Sequence, residues 1–286
     1  MSLMRSYLFA PGNHPRKLEK VFNCGADAVL IDLEDSVAVS EKTVTRALAV
    51  AALQKPRSAR GYIRINALDT PWCIDDLAAV VGPWIDGIVL PKTESVEQLR
   101  SVSAHIAIYE QRFDMAIGKL ELLPIVETAR GIEAATDIAA ADQRIVRLAF
   151  GGGDYTNDLN LEWTEDEQEL AYARARLTHA SRIARIQPPI DTVVVQIKDK
   201  ARFIRSARNG RQMGFSGKLC IHPDQVEPCN QVFSPSEDQI LNAIVVVQAF
   251  DRAEALGSAS IQVDGQFIDY PIVEQARRLL RIAGKI

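Results

Sequence analysis

The chain has 286 residues, 47% of them hydrophobic and 24% charged, with a formal net charge of −4. That length allows one large domain or a barrel with a small appendage, and the composition is that of a packed globule. No basic excess points to nucleic acid, no Lys/Arg cluster marks a membrane-surface patch, and no apolar run approaches the roughly 18 residues of a membrane span.

The opening Met1-Ser-Leu-Met-Arg-Ser-Tyr-Leu-Phe9 lacks a charged segment followed by an apolar one. A soluble, unprocessed, cytoplasmic protein is therefore expected. Cys24, Cys73, Cys220 and Cys229 form no C-x-x-C pair and have no histidine at zinc-ligand spacing. They are expected to be reduced thiols.

Apolar, strand-like runs recur at residues 6–10, 28–33, 62–66, 87–91, 122–126, 146–150, 192–196 and 218–221. Most are continuous rather than alternating, as in parallel strands covered on both faces. Between them lie helix signals. Thr93-Glu-Ser-Val-Glu-Gln-Leu99 places a polar, acidic first turn after Pro91, and Thr164-Glu-Asp-Glu-Gln168 reads as a threonine cap with an acidic first turn. Eight strand–helix alternations predict an α/β fold of the (β/α)8 TIM-barrel type over residues 1–234. An open doubly wound sheet would carry a glycine fingerprint after its first strand, where Pro11-Gly-Asn-His-Pro15 stands instead.

Residues 235–286 exceed what a barrel needs. A helix is predicted from Pro235 to about Leu256, then two short strands around Asp264-Gly265, then a helix from Pro271. Ile272, Ala276, Leu279, Leu280 and Ala283 form the apolar stripe of that last helix. The extension is expected to act as a lid that packs on its own barrel or on a neighbouring subunit.

After the sixth run comes Phe150-Gly-Gly-Gly-Asp-Tyr-Thr-Asn-Asp-Leu159. Three glycines after a strand suggest a phosphate cradle. A phosphate loop, however, needs Gly-Lys-Ser/Thr, and here an aspartate follows, whose charge repels phosphate. In a barrel the loops at the C-terminal strand ends build the active site. Asp154 lies past the sixth strand and Glu127 holds the same place after the fifth, in Pro124-Ile-Val-Glu-Thr-Ala-Arg-Gly131. Neighbouring strands run about 4.8 Å apart, so the two carboxylates can share one ion, with water and substrate oxygens completing a Mg2+ shell. Position alone leaves open a capping aspartate and a structural salt bridge. The glycines would leave the site uncrowded.

Other polar residues fall at the same predicted face. Glu34 and Asp35 follow the second strand, Arg64 and Asn66 end the third, Lys92 follows the fourth and His222 the eighth. Arg64 suits either a substrate oxyanion or a structural acid partner. Lys92 and His222 read rather as hydrogen-bonding or loop-packing residues. Arg16 and Lys17 are either a solvated pair or contacts for a ligand's phosphates.

With these residues in hand, the chain resembles the citrate lyase β-subunit family of the HpcH/HpaI aldolase superfamily, and within it the stand-alone malyl-CoA and citramalyl-CoA lyases. The landmarks are Arg5-Ser-Tyr-Leu-Phe-Ala-Pro-Gly12, Ile31-Asp-Leu-Glu-Asp-Ser-Val37, Ile63-Arg-Ile-Asn66, Leu90-Pro-Lys92, Pro124-Ile-Val-Glu-Thr-Ala-Arg-Gly131, Gly151-Gly-Gly-Asp154 and Lys218-Leu-Cys-Ile-His-Pro223. Each is weak alone, but together and in this order they are specific and run nearly end to end. The resemblance implies that Glu127 and Asp154 bind Mg2+, that Arg64 contacts the substrate, and that Glu34 and Asp35 lie around the metal. The tail, Asp264-Gly-Gln-Phe-Ile-Asp-Tyr-Pro271, resembles one that folds over an adjacent barrel and delivers an aspartate, here Asp269. A homotrimer or hexamer with exchanged tails follows from the same resemblance. So does a Mg2+-dependent lyase acting on a citramalyl-, malyl- or citryl-CoA-like thioester, with coenzyme A as part of the substrate. A pyruvate aldolase acting without coenzyme A, or a non-catalytic CoA-binding subunit, is the alternative.

Overall fold

Short apolar runs become strands here because each is buried on both faces, one toward a barrel interior and one toward helices. In the computed structural model, which describes residues 3–286, eight parallel strands close into a barrel in chain order. They are β1 (Ser6–Pro11), β2 (Ala28–Asp32), β3 (Arg60–Arg64), β4 (Gly87–Leu90), β5 (Glu121–Val126), β6 (Ala149–Phe150), β7 (Ile190–Asp191) and β8 (Gly217–Cys220). Pairing of β1 with β8, Ser6 opposite Lys218, completes the closure. Alternate residues separate into two cores. Tyr7, Leu30, Tyr62, Val89, Ile125 and Leu219 pack on one another inside the barrel. Val29, Ile31, Ile63, Ile88 and Val126 face outward into a larger core shared with the helices.

The barrel expected from the sequence is thus present, with some boundaries moved. The seventh strand is Ile190–Asp191 rather than 192–196: Thr192 turns its hydroxyl to the main chain of Gly152, and Val195 is exposed. Thr164 caps no α-helix: its hydroxyl accepts from the Glu167 N–H at 3.2 Å and donates to Glu169, but Glu167 is left-handed at φ 55° and the next α-helix is Ala171–Ile183. The helix expected from Thr93 starts at Val96, where Ser95 and Gln98 form a reciprocal capping box. All four cysteines are free thiols. Among the described residues, no helix is long and apolar enough to cross a membrane.

The chain divides into two compact units, Met4–Phe233 with the barrel and a second one containing Ser234–Ile286. In the second unit Ser236 and Gln239 cap the helix Glu237–Ala255, and a hairpin of β9 (Ile261–Val263) and β10 (Gln266–Ile268) follows. Its turn, Asp264-Gly265, has φ of 47° and 81°, the left-handed pair of a two-residue hairpin. Asp269 caps the helix Tyr270–Ile282 by accepting from the Ile272 N–H. Val246, Phe250, Ile268 and Val273 make this unit's core. The inward positions of the last helix are Val273 and Leu280, whereas Ile272, expected in the apolar stripe, is exposed.

Candidate active site

Two opposite charges end neighbouring strands at one register, Asp32 of β2 opposite Arg64 of β3. They meet in a fork: Arg64 Nε donates to Asp32 Oδ1 and Nη2 to Oδ2, both at 2.7 Å. The guanidinium also lies 4.7 Å from the centre of the Phe9 ring. Burial opposes the charge on Asp32, yet the Arg64 charge and hydrogen bonds hold its carboxyl below the usual range. Both Asp32 oxygens have a second use, accepting from the Glu34 and Ser36 N–H groups at 2.9 and 3.0 Å. Asp32 therefore shapes the turn that presents Glu34.

Glu34 is 5% exposed. Its Oε1 accepts from the Lys92 ammonium at 2.9 Å, and its Oε2 lies 3.0 Å from Arg64 Nη1 in an ion contact without hydrogen-bond geometry. Burial raises the Glu34 carboxyl above its ordinary value, against the Arg64 charge and with help from Asp35. Lys92 is held charged: burial opposes its charge, but the Glu34 hydrogen bond and the charges of Glu34, Asp35 and Asp154 outweigh it. Lys92 also sits at φ 49°, in the left-handed region rare for a side chain of this size. That turn aims its main-chain N–H at Glu127 Oε1, 2.7 Å away.

Glu127 follows β5, is 2% exposed and has no cationic hydrogen-bond partner among the described residues. Burial, then the charge of Asp154, push its carboxyl up to about 8. Gly151 explains how so large a group fits, because a Cβ there would overlap Glu127 Oε2. Gly152 donates its N–H to Thr192 Oγ1 at 2.7 Å, and a Cβ on it would stand 2.8 Å from that oxygen. These two glycines let the helix Gly152–Asp158, with Asp154 in its first turn, start against the β5 and β7 strand ends. Gly153 has ordinary room, with Trp163 at 3.5 Å from a built Cβ.

Two neighbouring carboxylates, one of them buried and pushed toward protonation, fit a hard divalent cation with oxygen ligands. Its charge would replace the proton on Glu127. Among the described residues no group of three or more His, Cys, Asp and Glu side chains gathers into a closed cage. An ion held here would have two carboxylates, with the remaining positions left to water or ligand oxygens.

Residues 5–223 match the model of the HpcH/HpaI aldolase/citrate lyase family. The chain belongs to that family. It is accordingly one of the carbon–carbon lyases. It is similar to citrate lyase subunit beta of Leuconostoc mesenteroides subsp. cremoris, 37% identical over 99% of this chain and 94% of that one. It is also similar to L-malyl-CoA/beta-methylmalyl-CoA lyase of Cereibacter sphaeroides, 32% identical over 99% and 95%. Among solved structures, CitE of Mycobacterium tuberculosis in complex with magnesium, acetoacetate and coenzyme A has a TM-score of 0.82 at 27% identity, covering 99% of this chain and 98% of that one.

Of the other residues singled out in this family member, Asp35 is exposed at the rim, 3.7 Å from the Lys92 ammonium. Arg16 and Lys17 are exposed on the helix Pro15–Val21, directly after β1. His222 caps the single turn Pro223–Gln225 by accepting from the Asp224 N–H, a loop-packing role. Asn66 points away from the chemistry and donates to Asp76 at 2.6 Å. Asp269 belongs to the second unit, where it caps its own helix. Asp32 and Thr192 are site-building residues that the sequence reading passed over. For Asp32 part of the signal was available, an acid in the otherwise apolar run 28–33 and a base in the next run, 62–66; that the two stand opposite each other is set by the register of β2 and β3.

Proposed function

We propose that this chain is a Mg2+-dependent acyl-CoA lyase that cleaves a 3-hydroxy-3-carboxyacyl-CoA to acetyl-CoA and an oxo acid. The observation that carries the reading is the Glu127–Asp154 carboxylate pair, with Glu127 pushed up to about 8, lying among strand ends that also hold Arg64 in place. The complex of the Mycobacterium relative with magnesium, acetoacetate and coenzyme A supports the choice of ion and ligand class.

Glu127 and Asp154 would hold the ion. When bound, it would lower the pKa of a substrate hydroxyl and steady the negative oxygen. In the cleavage the hydroxyl loses its proton, its carbon becomes the carbonyl of the oxo acid, and the electron pair of the broken C–C bond passes to the thioester as an enolate. Arg64 is suited to that enolate. Two of its N–H groups are fixed by Asp32, and Nη1, in ion contact with Glu34, is left to serve an incoming oxygen. Its position is set before substrate arrives, so little reorganisation accompanies charge development. Asp269 of a second copy, delivered by an exchanged tail in a trimer or hexamer, is the proposed proton carrier: its carboxylate takes the proton that the hydroxyl loses and returns it to the enolate carbon. Arg16 and Lys17 are the proposed contacts for the phosphates of coenzyme A.

The deciding experiment is acetyl-CoA release from malyl-, citramalyl- and citryl-CoA stereoisomers, with and without Mg2+. One thioester turned over only with the metal is expected, with activity abolished by Glu127→Ala and by Asp154→Ala. Full activity in both variants would sink the reading. So would cleavage confined to CoA-free hydroxy-oxo acids.

A further inference from the structure

Lys42 opens the helix Lys42–Leu53 and is 6% exposed, yet no carboxylate among the described residues lies within ion-pair distance of it. A buried ammonium without a counterion is an expensive feature, which a neutral side chain of the same length would avoid. Its donors go instead to main-chain carbonyls, those of Leu33 and Glu34, both at 3.0 Å. The Trp72 ring covers it, with the ring centre 5.3 Å from Nζ.

Those two carbonyls belong to the turn that carries Glu34. The Leu33 carbonyl also accepts from Asn66 Nδ2 at 3.1 Å. Asn66 is fixed by Asp76, and Asp76 by Arg46, one turn along the helix that begins with Lys42. On the other side of the turn, the Glu34 carboxylate meets Lys92 and Arg64. The backbone of this turn is thus held from the helix layer while its side chain engages the groups at the barrel mouth.

We propose that Lys42 is a positioning residue for the lyase reaction: its ammonium fixes the Leu33 and Glu34 carbonyls so that the Glu34 carboxylate stays on Arg64 and Lys92. Lys42 touches no reacting atom and acts through Glu34. The catalytic part of this inference rests on the proposed function, because it takes Arg64 as the group that meets substrate. A compact ammonium is suited to the task, since it can serve two converging carbonyls at once, which a planar guanidinium does less easily.

The test is Lys42→Met in the full chain, with hydrogen exchange measured by mass spectrometry on the peptide covering residues 31–37. Exchange there should rise about tenfold while strands on the far side of the barrel stay unchanged. In the thioester assay kcat should fall about 10–100-fold with KM within about twofold, the size of effect seen when an outer support is lost. Lys42→Arg should recover part of the loss. The double variant Lys42→Met/Glu34→Gln should be no slower than Glu34→Gln alone, because both changes act on one element. Unchanged exchange at 31–37, or losses that multiply in the double variant, would overturn the proposal. Should Lys42→Met not fold, Lys42→Gln is read in the same way. A wild-type protein that turns over none of the thioesters would defeat the proposed function, while the exchange measurement would still decide whether Lys42 fixes the turn.

Discussion

The main-chain N–H of Lys92 donates to Glu127 Oε1 at 2.7 Å, and the ammonium of the same residue reaches Glu34 at 2.9 Å. One residue at the end of β4 thereby binds the carboxylate that follows β5 with its backbone and the one that follows β2 with its side chain. Its left-handed backbone is a conformation that costs about 1–2 kcal/mol outside glycine, and both contacts depend on it. Lys92→Met should keep the backbone contact and release Glu34, lowering kcat about tenfold with little change in thermal stability. Lys92→Gly should cost the same in kcat. Full activity in both variants would remove the ammonium from the site's working parts.

Glu127 gives the metal-free protein a distinctive pH dependence. Its carboxyl, near 4.3 in an unfolded chain, is pushed up to about 8 in the fold by burial and by Asp154. The folded state then binds the proton more tightly, so this stabilisation is complete below the unfolded value and is lost as pH rises through the folded one. With a chelator present, the melting temperature should fall between about pH 5 and about pH 8 and level off above. Asp32 and Asp191 are shifted downward, so their contributions are lost on the acid side, outside this window. Glu127→Gln should reduce the slope, leaving the part due to Glu34, whose carboxyl burial also raises, and added Mg2+ should reduce it in the wild type. A metal-free melting temperature that rises across the window in both proteins would refute the assignment.

Gly151 and Gly153 separate two explanations of the triple glycine. A methyl on Gly151 overlaps the Glu127 carboxylate, whereas one on Gly153 meets only Trp163 at ordinary distance. Gly151→Ala should therefore weaken Mg2+ binding and turnover by at least tenfold, measured by metal titration and steady-state rates. Gly153→Ala, inside the helix Gly152–Asp158, should be stabilised by about 0.5–1 kcal/mol and keep its KM. A raised KM in Gly153→Ala would instead show that the glycines clear space for the substrate.

The Arg64–Asp32 fork predicts a large asymmetry between its two partners. Asp32→Asn leaves a buried guanidinium short of its anion, at a cost of about 3–5 kcal/mol, visible as a lower denaturant midpoint. Arg64→Lys should fold better than that but lose about 100-fold or more in kcat, since an ammonium cannot keep the fork and still serve an oxyanion. Equal losses of stability and activity in the two variants would contradict the division of labour.

These features were unequally legible in the sequence. The barrel could be read because buried parallel strands are continuous apolar runs, and Arg64, Glu127 and Asp154 because they stand where such runs end. The seventh strand was misread because Thr192-Val-Val-Val-Gln196 has strong strand propensity while the strand itself is the two-residue Ile190–Asp191 beside Pro188-Pro189. Propensity cannot report that Thr192 is drawn off by the Gly152 N–H at the end of the neighbouring strand. Thr164 does accept a main-chain N–H three residues on, as a cap would, but the left-handed backbone of Glu167 ends the turn there, which composition does not reveal. The left-handed turn of Lys92 and the carbonyl clamp of Lys42 left no mark at all, because both are relations between main chain and distant residues.

Asp269 offers the cleanest test of the tail, because its capping and its proposed chemistry can be separated. Its carboxylate accepts from the Ile272 N–H, and asparagine caps a helix about as well as aspartate does. Asp269→Asn should therefore leave the melting temperature of the full chain unchanged while reducing acetyl-CoA release about 100-fold or more, as the loss of a proton carrier requires. Asp269→Ala removes the cap as well and should cost about 1 kcal/mol in addition. If the aspartate serves a neighbouring copy, a mixture of Asp269→Asn subunits with Arg64→Lys subunits should regain turnover that neither has alone. Full activity in Asp269→Asn would take the tail out of the reaction, and no recovery in the mixture would place its aspartate in its own subunit.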